Sequence, residues 1–83
     1  MVIEDYNTLP VPEQWYEIFE YGKFLTTIHT EICNFTLYSL HNFYVEVLSD
    51  PLSNIPISNN ALLDGDALEK YIKGIDVRGF ESL

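Results

Sequence analysis

A chain of 83 residues, 47% hydrophobic and 20% charged, has the size and composition of one small globular domain and is too short for two. Its 13 acidic and 4 basic residues give a formal net charge of −9, which argues against direct binding to nucleic acid or to an anionic membrane. Cys33 is the single cysteine, which excludes a disulfide within the chain and a four-cysteine zinc site.

The N-terminal residues predict an extended lead-in followed by a short helix. Residues 1–10 are expected to be extended, and they have neither the basic start nor the apolar run of a signal peptide. Pro12 suits a first helical turn, and Gly22 suits the position after the last one. The aromatic residues at 11–21 also leave open an extended start to the next strand. The apolar residues at the helical spacing i, i+4, i+7 and i+8 are Val11, Trp15, Ile18 and Phe19.

Three segments rich in β-branched and aromatic residues predict strands at 23–31, 33–40 and 43–50. His41 and Asn42, between the second and the third, predict a two-residue hairpin turn. Such a turn requires positive φ at both residues, which Asn accepts readily and His less easily. We therefore expect the second and third strands to form an antiparallel hairpin.

This turn also sets the register of the hairpin, because side chains alternate between the two faces along each strand. The second face is amphipathic, so we expect a helix or another subunit to cover part of it. The first face is more apolar and is the expected core face. Its pairs are Leu40 with Phe43, Tyr38 with Val45, and Thr36 with Val47. The pairs of the second face are Ser39 with Tyr44, Leu37 with Glu46, and Phe35 with Leu48.

The C-terminal part predicts a short strand and then a helix. Ile55 and Ile57 alternate, and the intervening proline would confine their strand to a sheet edge. Over residues 66–75, Asp66 and Glu69 have the spacing of a capping box. Residues 77–83 are expected to be a flexible tail or a further extended segment. The apolar side of the predicted helix carries Leu68, Tyr71, Ile72 and Ile75.

No constellation of residues predicts catalysis. His29, Cys33 and His41 are the soft metal-ligand candidates, but the predicted strands place them at different strand ends and at a turn. No serine lies in a nucleophile-elbow pattern, and the four glycines form no phosphate-binding loop. We therefore predict no catalytic residue, no metal site and no cofactor, and an enzyme is the least favoured functional class.

Two sets of residues are candidates for partner binding. Glu13, Glu17 and Glu20 predict an acidic stripe on the first helix, with carboxylates spaced by roughly 5 to 6 Å at a rise of about 1.5 Å per residue. That spacing is close to the scale of a phosphate backbone, so the stripe could mimic nucleic acid or bind a basic toxin. A solvated helix face is the alternative. On the second sheet face, the candidates for contact with a partner or a second copy are Phe35, Tyr44, Glu46 and Leu48.

Several segments together resemble a family of short uncharacterised bacterial proteins. The resemblance covers about residues 20–77 and implies one domain of strands that ends in a helix. It implies no activity, cofactor or catalytic residue. This chain departs from the family pattern at Asn42, where a glycine is expected, and at Leu48-Ser49, where Trp-Tyr is expected. The segments are GKFL at 22–25, LYSL at 37–40, FYVEV at 43–47, IPI at 55–57, LEKYI at 68–72 and IDV at 75–77.

The sequence as a whole predicts a single α+β domain over residues 1–83. It would consist of a short N-terminal helix, a three- to four-stranded antiparallel meander and a C-terminal helix packed on the sheet. For function we predict a small non-enzymatic protein-interaction module of the cytoplasm that binds itself, as a homodimer, or a basic protein. The alternative is an acidic inhibitor of a basic partner, of the immunity type or as a nucleic-acid mimic.

Overall fold

A computed structural model describes residues 1–63 and Tyr71, and in it two helices precede a four-stranded antiparallel sheet. The strands are neighbours in chain order, so the sheet is a meander with β1 and β4 at its edges. This confirms the predicted α+β class and the antiparallel meander. The elements are α1 (Ile3–Asn7), α2 (Val11–Tyr21), β1 (Lys23–His29), β2 (Asn34–Leu40), β3 (Phe43–Ser49) and β4 (Pro56–Leu62).

Three predictions concern the C-terminal part of the chain. The helix predicted over residues 66–75 and the tail predicted over residues 77–83 lie outside the described residues, apart from Tyr71. The edge strand predicted around Ile55 and Ile57 is confirmed as β4, which continues to Leu62.

The predicted hairpin register is confirmed, whereas the predicted turn geometry is wrong in part. β2 pairs with β3 from Leu40 opposite Phe43 to Asn34 opposite Ser49, through all six predicted pairs. His41 has a φ of 55°, but Asn42 does not share the positive φ. Positive φ at the first central residue alone is the pattern of a type II′ turn, whereas a type I′ turn needs it at both residues.

The expectation of an extended lead-in over residues 1–10 is wrong, because Ile3–Asn7 form α1. The backbone N–H groups of Asp5 and Tyr6 donate to the carbonyl oxygen of Val2 at 3.0 and 3.1 Å. A helix of five residues is not stable by itself in water. Its existence therefore depends on contacts with the rest of the fold.

Tyr6 provides those contacts. Its side chain is completely buried, and its ring meets the ring of Phe43 edge to face at a centroid distance of 5.5 Å. Its hydroxyl donates to Oδ1 of Asn59 at 2.8 Å, and its carbonyl oxygen accepts from Nε2 of Gln14 at 3.1 Å. Tyr6 thus joins α1 to β3, to β4 and to α2.

The core lies between the two helices and the first face of the sheet, as the hairpin register predicts. Four of the six buried residues in its central cluster come from β2 and β3, and one comes from each helix. α1 contacts β4, and α2 contacts β2, so both helices lie on this face. The buried cluster consists of Tyr6, Ile18, Leu40, Phe43, Val45 and Val47.

α2 is helical rather than extended, with proline in its first turn and Gly22 as its C-cap. A Cβ at Gly22 would lie 2.5 Å from the carbonyl oxygen of Ile18, so this close approach requires glycine. The predicted apolar side of the helix is wrong in part. Ile18 is buried and Trp15 packs against the core, but Val11 and Phe19 are 59% and 69% exposed.

The buried hydroxyl of Tyr6 predicts a loss of stability in alkali. Burial, and then the Glu17 carboxylate, raise the pKa of Tyr6 from its ordinary value of 10.0 to about 12. Because the folded state holds the proton more tightly, the contribution of Tyr6 to the free energy of unfolding is complete below pH 10. That contribution is lost as the pH rises through about 12.

Tyr6→Phe should therefore cost about 1 kcal/mol at neutral pH, by removal of the hydrogen bond to Asn59. The difference between wild type and variant should then shrink above pH 10, since the phenylalanine cannot ionise. Urea unfolding at neutral pH and at a pH between 10 and 12 measures both free energies. A difference that does not change with pH would contradict this expectation.

Candidate partner-binding surface

The outer side of α2 carries exposed aromatic and acidic side chains. Successive helical residues are about 100° apart, so Phe19, Tyr16 and Glu20 follow one another around the helix at intervals of about 60° or less. Aromatic and acidic groups therefore form one continuous band. We call this the α2 surface, and its members are Glu13, Tyr16, Phe19, Glu20 and Tyr21.

Ring contacts organise this surface. The Trp15 ring stacks on the Phe19 ring at a centroid distance of 5.9 Å, and Tyr16 meets Tyr21 edge to face at 6.5 Å. The Glu20 carboxylate, and then Tyr21, raise the pKa of Tyr16 above its ordinary value, because nearby negative charge opposes ionisation of its hydroxyl. Side chains held in this way lose less rotamer entropy when a partner binds.

Glu17, the middle glutamate of the predicted stripe, is paired with a residue of the same chain. Oε1 of Glu17 lies 2.8 Å from Nε2 of His41, in the hairpin turn between β2 and β3. The His41 ring also lies 5.7 Å from the Tyr21 ring and 6.0 Å from the Phe43 ring. Glu17 therefore fixes the turn to α2, and the exposed part of the stripe consists of Glu13 and Glu20. No local sequence pattern reveals this pair, since its members are 24 residues apart.

The second candidate surface is largely covered within the chain. Glu46 is only 7% exposed, and Leu37, opposite it on β2, is 5% exposed. The other candidates on this face, Phe35, Tyr44 and Leu48, are half-buried. Glu46 therefore does not lie on an open surface, and the half-buried residues offer a partner less area than the α2 surface does.

Tyr71 lies against this second face. Burial, and then the charge of Glu46, raise the pKa of Tyr71 well above its ordinary value, and Cys33 contributes in the same direction. Cys33 is itself buried. The second face thus meets at least one residue from the C-terminal part of the chain.

Glu46→Gln tests this contact. The substitution keeps the size of the side chain and removes the charge that opposes ionisation of Tyr71, so the pKa of Tyr71 should fall while burial still holds it above 10.0. Tyrosinate absorbance during a pH titration measures the change, and Tyr71→Phe assigns the transition. Glu31→Gln, at an exposed position between β1 and β2, is the matched control. A Tyr71 transition that does not move in Glu46→Gln would refute the contact.

The structure does not bring the metal-ligand candidates together. The Asn34 amide nitrogen donates to Oδ1 of Asn54 at 3.3 Å, which leaves Oδ1 of Asn34 facing His29. Because an amide oxygen can only accept, Nδ1 of His29 donates to it at 2.9 Å. Cys33 is buried, and His41 contacts Glu17. Among the described residues, no group of three or more His, Cys, Asp or Glu side chains has the arrangement of a metal site.

The α2 surface stands in a strongly acidic chain. Lys23 is the one Lys or Arg among residues 1–63, which contain eight Asp and Glu residues. Within the part of the chain that the structure describes, a membrane span would need a longer and more apolar helix than any present.

Sequence reasoning proposed Glu13 and Glu20 as candidates but did not propose the aromatic members of the α2 surface. The spacing assigned Phe19 to the buried side and gave Tyr16 and Tyr21 no role. One signal could have found them. The aromatic residues of α2 are spread over more than half of the helix circumference, which is more than one buried stripe can accommodate. They are Trp15, Tyr16, Phe19 and Tyr21.

Comparison of the chain with protein-family models, with curated proteins and with solved structures gives no match. The resemblance to a family of short bacterial proteins therefore stays a prediction.

Proposed function

We propose that this chain is a non-enzymatic protein-binding module that binds a basic protein through the α2 surface. The exposure of Phe19 carries the proposal. A phenylalanine that is 69% exposed and stacked on a tryptophan is a large apolar group left without cover in the isolated chain. Aromatic side chains of this kind, next to charged groups, are typical of the energetic centres of protein interfaces.

The charge of the chain supports a basic partner. Glu13 and Glu20 border the aromatic residues, and the chain carries a formal net charge of −9. Such a field accelerates association with a positively charged protein and opposes association with a second copy of the same chain. Burial of Phe19 in an apolar recess of the partner would contribute about 1.5 to 3 kcal/mol.

Inhibition of the basic partner is the second candidate function. Inhibition would use the same α2 surface. The excess negative charge of the chain, which favours binding of a basic protein, favours inhibition of that protein as well. A nucleic-acid mimic has less support, since Glu17 is held by His41 and the row of free carboxylates is reduced to Glu13 and Glu20.

We also propose that residues 66–75 form a helix that covers the second sheet face. Tyr71 belongs to the apolar side of that predicted helix, and its proximity to Glu46 supports this arrangement.

Site-specific photocross-linking tests the proposed function. Phe19 is replaced by p-benzoylphenylalanine, and the protein is irradiated in native lysate at low and at high salt. Leu52, which is 95% exposed in the loop between β3 and β4, receives the same substitution as a matched control. We expect one basic protein, identified by mass spectrometry, to be cross-linked from position 19 and not from position 52.

That product should diminish at high salt, because salt screens the charge attraction between exposed groups. It should also diminish when Glu20→Lys is added. Equal products from both positions, or a product that neither salt nor Glu20→Lys affects, would refute the proposal.

A further inference from the structure

A cleft lies between the start of α2 and the edge strand β4, next to the α2 surface. Its volume is about 190 Å³, which is room for one aliphatic side chain. Three of its lining residues belong to α2 and three to β4, and none of the six side chains is charged. The lining residues are Val11, Gln14, Trp15, Ile57, Ser58 and Asn59.

The walls of this cleft are fixed by hydrogen bonds to Tyr6. Nε2 of Gln14 donates to the carbonyl oxygen of Tyr6 at 3.1 Å, and Oδ1 of Asn59 accepts from its hydroxyl at 2.8 Å. These bonds engage polar groups on both sides of the cleft. Val11 and Ile57, which are 59% and 64% exposed, provide apolar area that nothing in the described part of the chain covers.

Trp15 makes the cleft continuous with the α2 surface. It lines the cleft, and it also stacks on Phe19 at 5.9 Å. A partner that covers Phe19 therefore lies next to Trp15, whose ring lines the cleft. The two apolar areas can be buried in a single interface, with the acidic residues of α2 at its outer border.

We infer that the cleft receives a branched aliphatic side chain of the basic partner, a leucine, isoleucine or valine within a Lys- and Arg-rich segment. The inference rests on the proposed function and adds the anchor residue. The lining carries no charge, and Val11, Trp15 and Ile57 give it apolar area, which favours an aliphatic side chain. The acidic residues farther around α2 favour basic neighbours of that side chain. A second copy of this chain is disfavoured by repulsion between two molecules that each carry a formal charge of −9.

The emission of Trp15 provides a direct test, since it is the one tryptophan of the chain. The probe is a synthetic amidated peptide of about 14 Lys and Ala residues with one central Leu, roughly 21 Å long as a helix and able to cross α2. A second peptide carries Ser in place of Leu, and a third carries Glu in place of Lys. The two variants for comparison are Val11→Ser/Ile57→Ser, in the cleft, and Leu52→Ser, outside it.

We expect the Leu peptide to shift the Trp15 emission and to bind about tenfold more tightly than the Ser peptide, since one buried aliphatic side chain is worth that much. The advantage of Leu should vanish in Val11→Ser/Ile57→Ser and persist in Leu52→Ser. The Glu peptide should not bind.

Equal affinity for the Leu and Ser peptides, or an advantage of Leu that survives Val11→Ser/Ile57→Ser, would overturn the inference. Absence of binding by both basic peptides would overturn it as well. None of these results bears on the proposed function, which the cross-link from position 19 decides independently. If that cross-link fails while the Leu peptide still binds more tightly than the Ser peptide, the cleft binds an aliphatic side chain but the α2 surface is not where a partner docks.

Discussion

Phe43→Ala is expected to lower the free energy of unfolding by about 3 to 5 kcal/mol. Phe43 is 1% exposed, and its ring contacts those of Tyr6 and His41. Its removal leaves a cavity where α1, the hairpin and the core meet. A domain of this size has roughly 4 to 12 kcal/mol of total stability, so the variant should be near the limit of folding at room temperature.

Phe19→Ala is the matched control, since it is the same substitution at a position that is 69% exposed. It should lower the free energy of unfolding by less than about 1 kcal/mol, mostly through the stack with Trp15. Urea unfolding followed by far-UV circular dichroism measures both variants. Similar losses at the two positions would mean that Phe43 does not occupy the core in the way described above.

The second large effect concerns binding. In complex with the partner captured at position 19, Phe19→Ala should weaken affinity by about 2 kcal/mol or more, which is roughly thirtyfold. Glu20→Lys should weaken it further and reduce its dependence on salt, because a favourable charge contact becomes a repulsive one. Isothermal titration calorimetry at two salt concentrations measures both effects.

Two matched variants serve as controls for binding. Leu52→Ala removes an exposed apolar side chain, and Glu31→Lys reverses an exposed charge between β1 and β2. Neither position lies on α2, so neither should change the affinity by more than a small factor. If Leu52→Ala weakens binding as much as Phe19→Ala does, the α2 surface is not the energetic centre of the interface.

The parts of the fold that could be predicted are those with a local physical cause. The hairpin register follows from the two residues His41 and Asn42 and from the two-residue period of a strand. The place of β4 at an edge follows from Pro56, which cannot donate a backbone hydrogen bond. The limits of α2 follow from Pro12 and Gly22.

The parts that could not be predicted depend on contacts distant in sequence. α1 has too few residues for a periodic signal, and Tyr6 holds it through Phe43 and Asn59. The Glu17–His41 pair exists because α2 lies across the hairpin. The exposure of Phe19 depends on how far α2 is rotated against the sheet, which spacing alone does not determine.

The strand order also determines the order in which the parts of the fold can form. Each strand pairs with its neighbour in the chain, so the sheet assembles by closing short loops, which cost little entropy. The hydrogen bond from Tyr6 to Asn59 spans 53 residues and therefore closes a much longer loop than the strand pairs do. The meander can therefore form before α1 docks. Deletion of the Tyr6 contact should then accelerate unfolding much more than it slows folding.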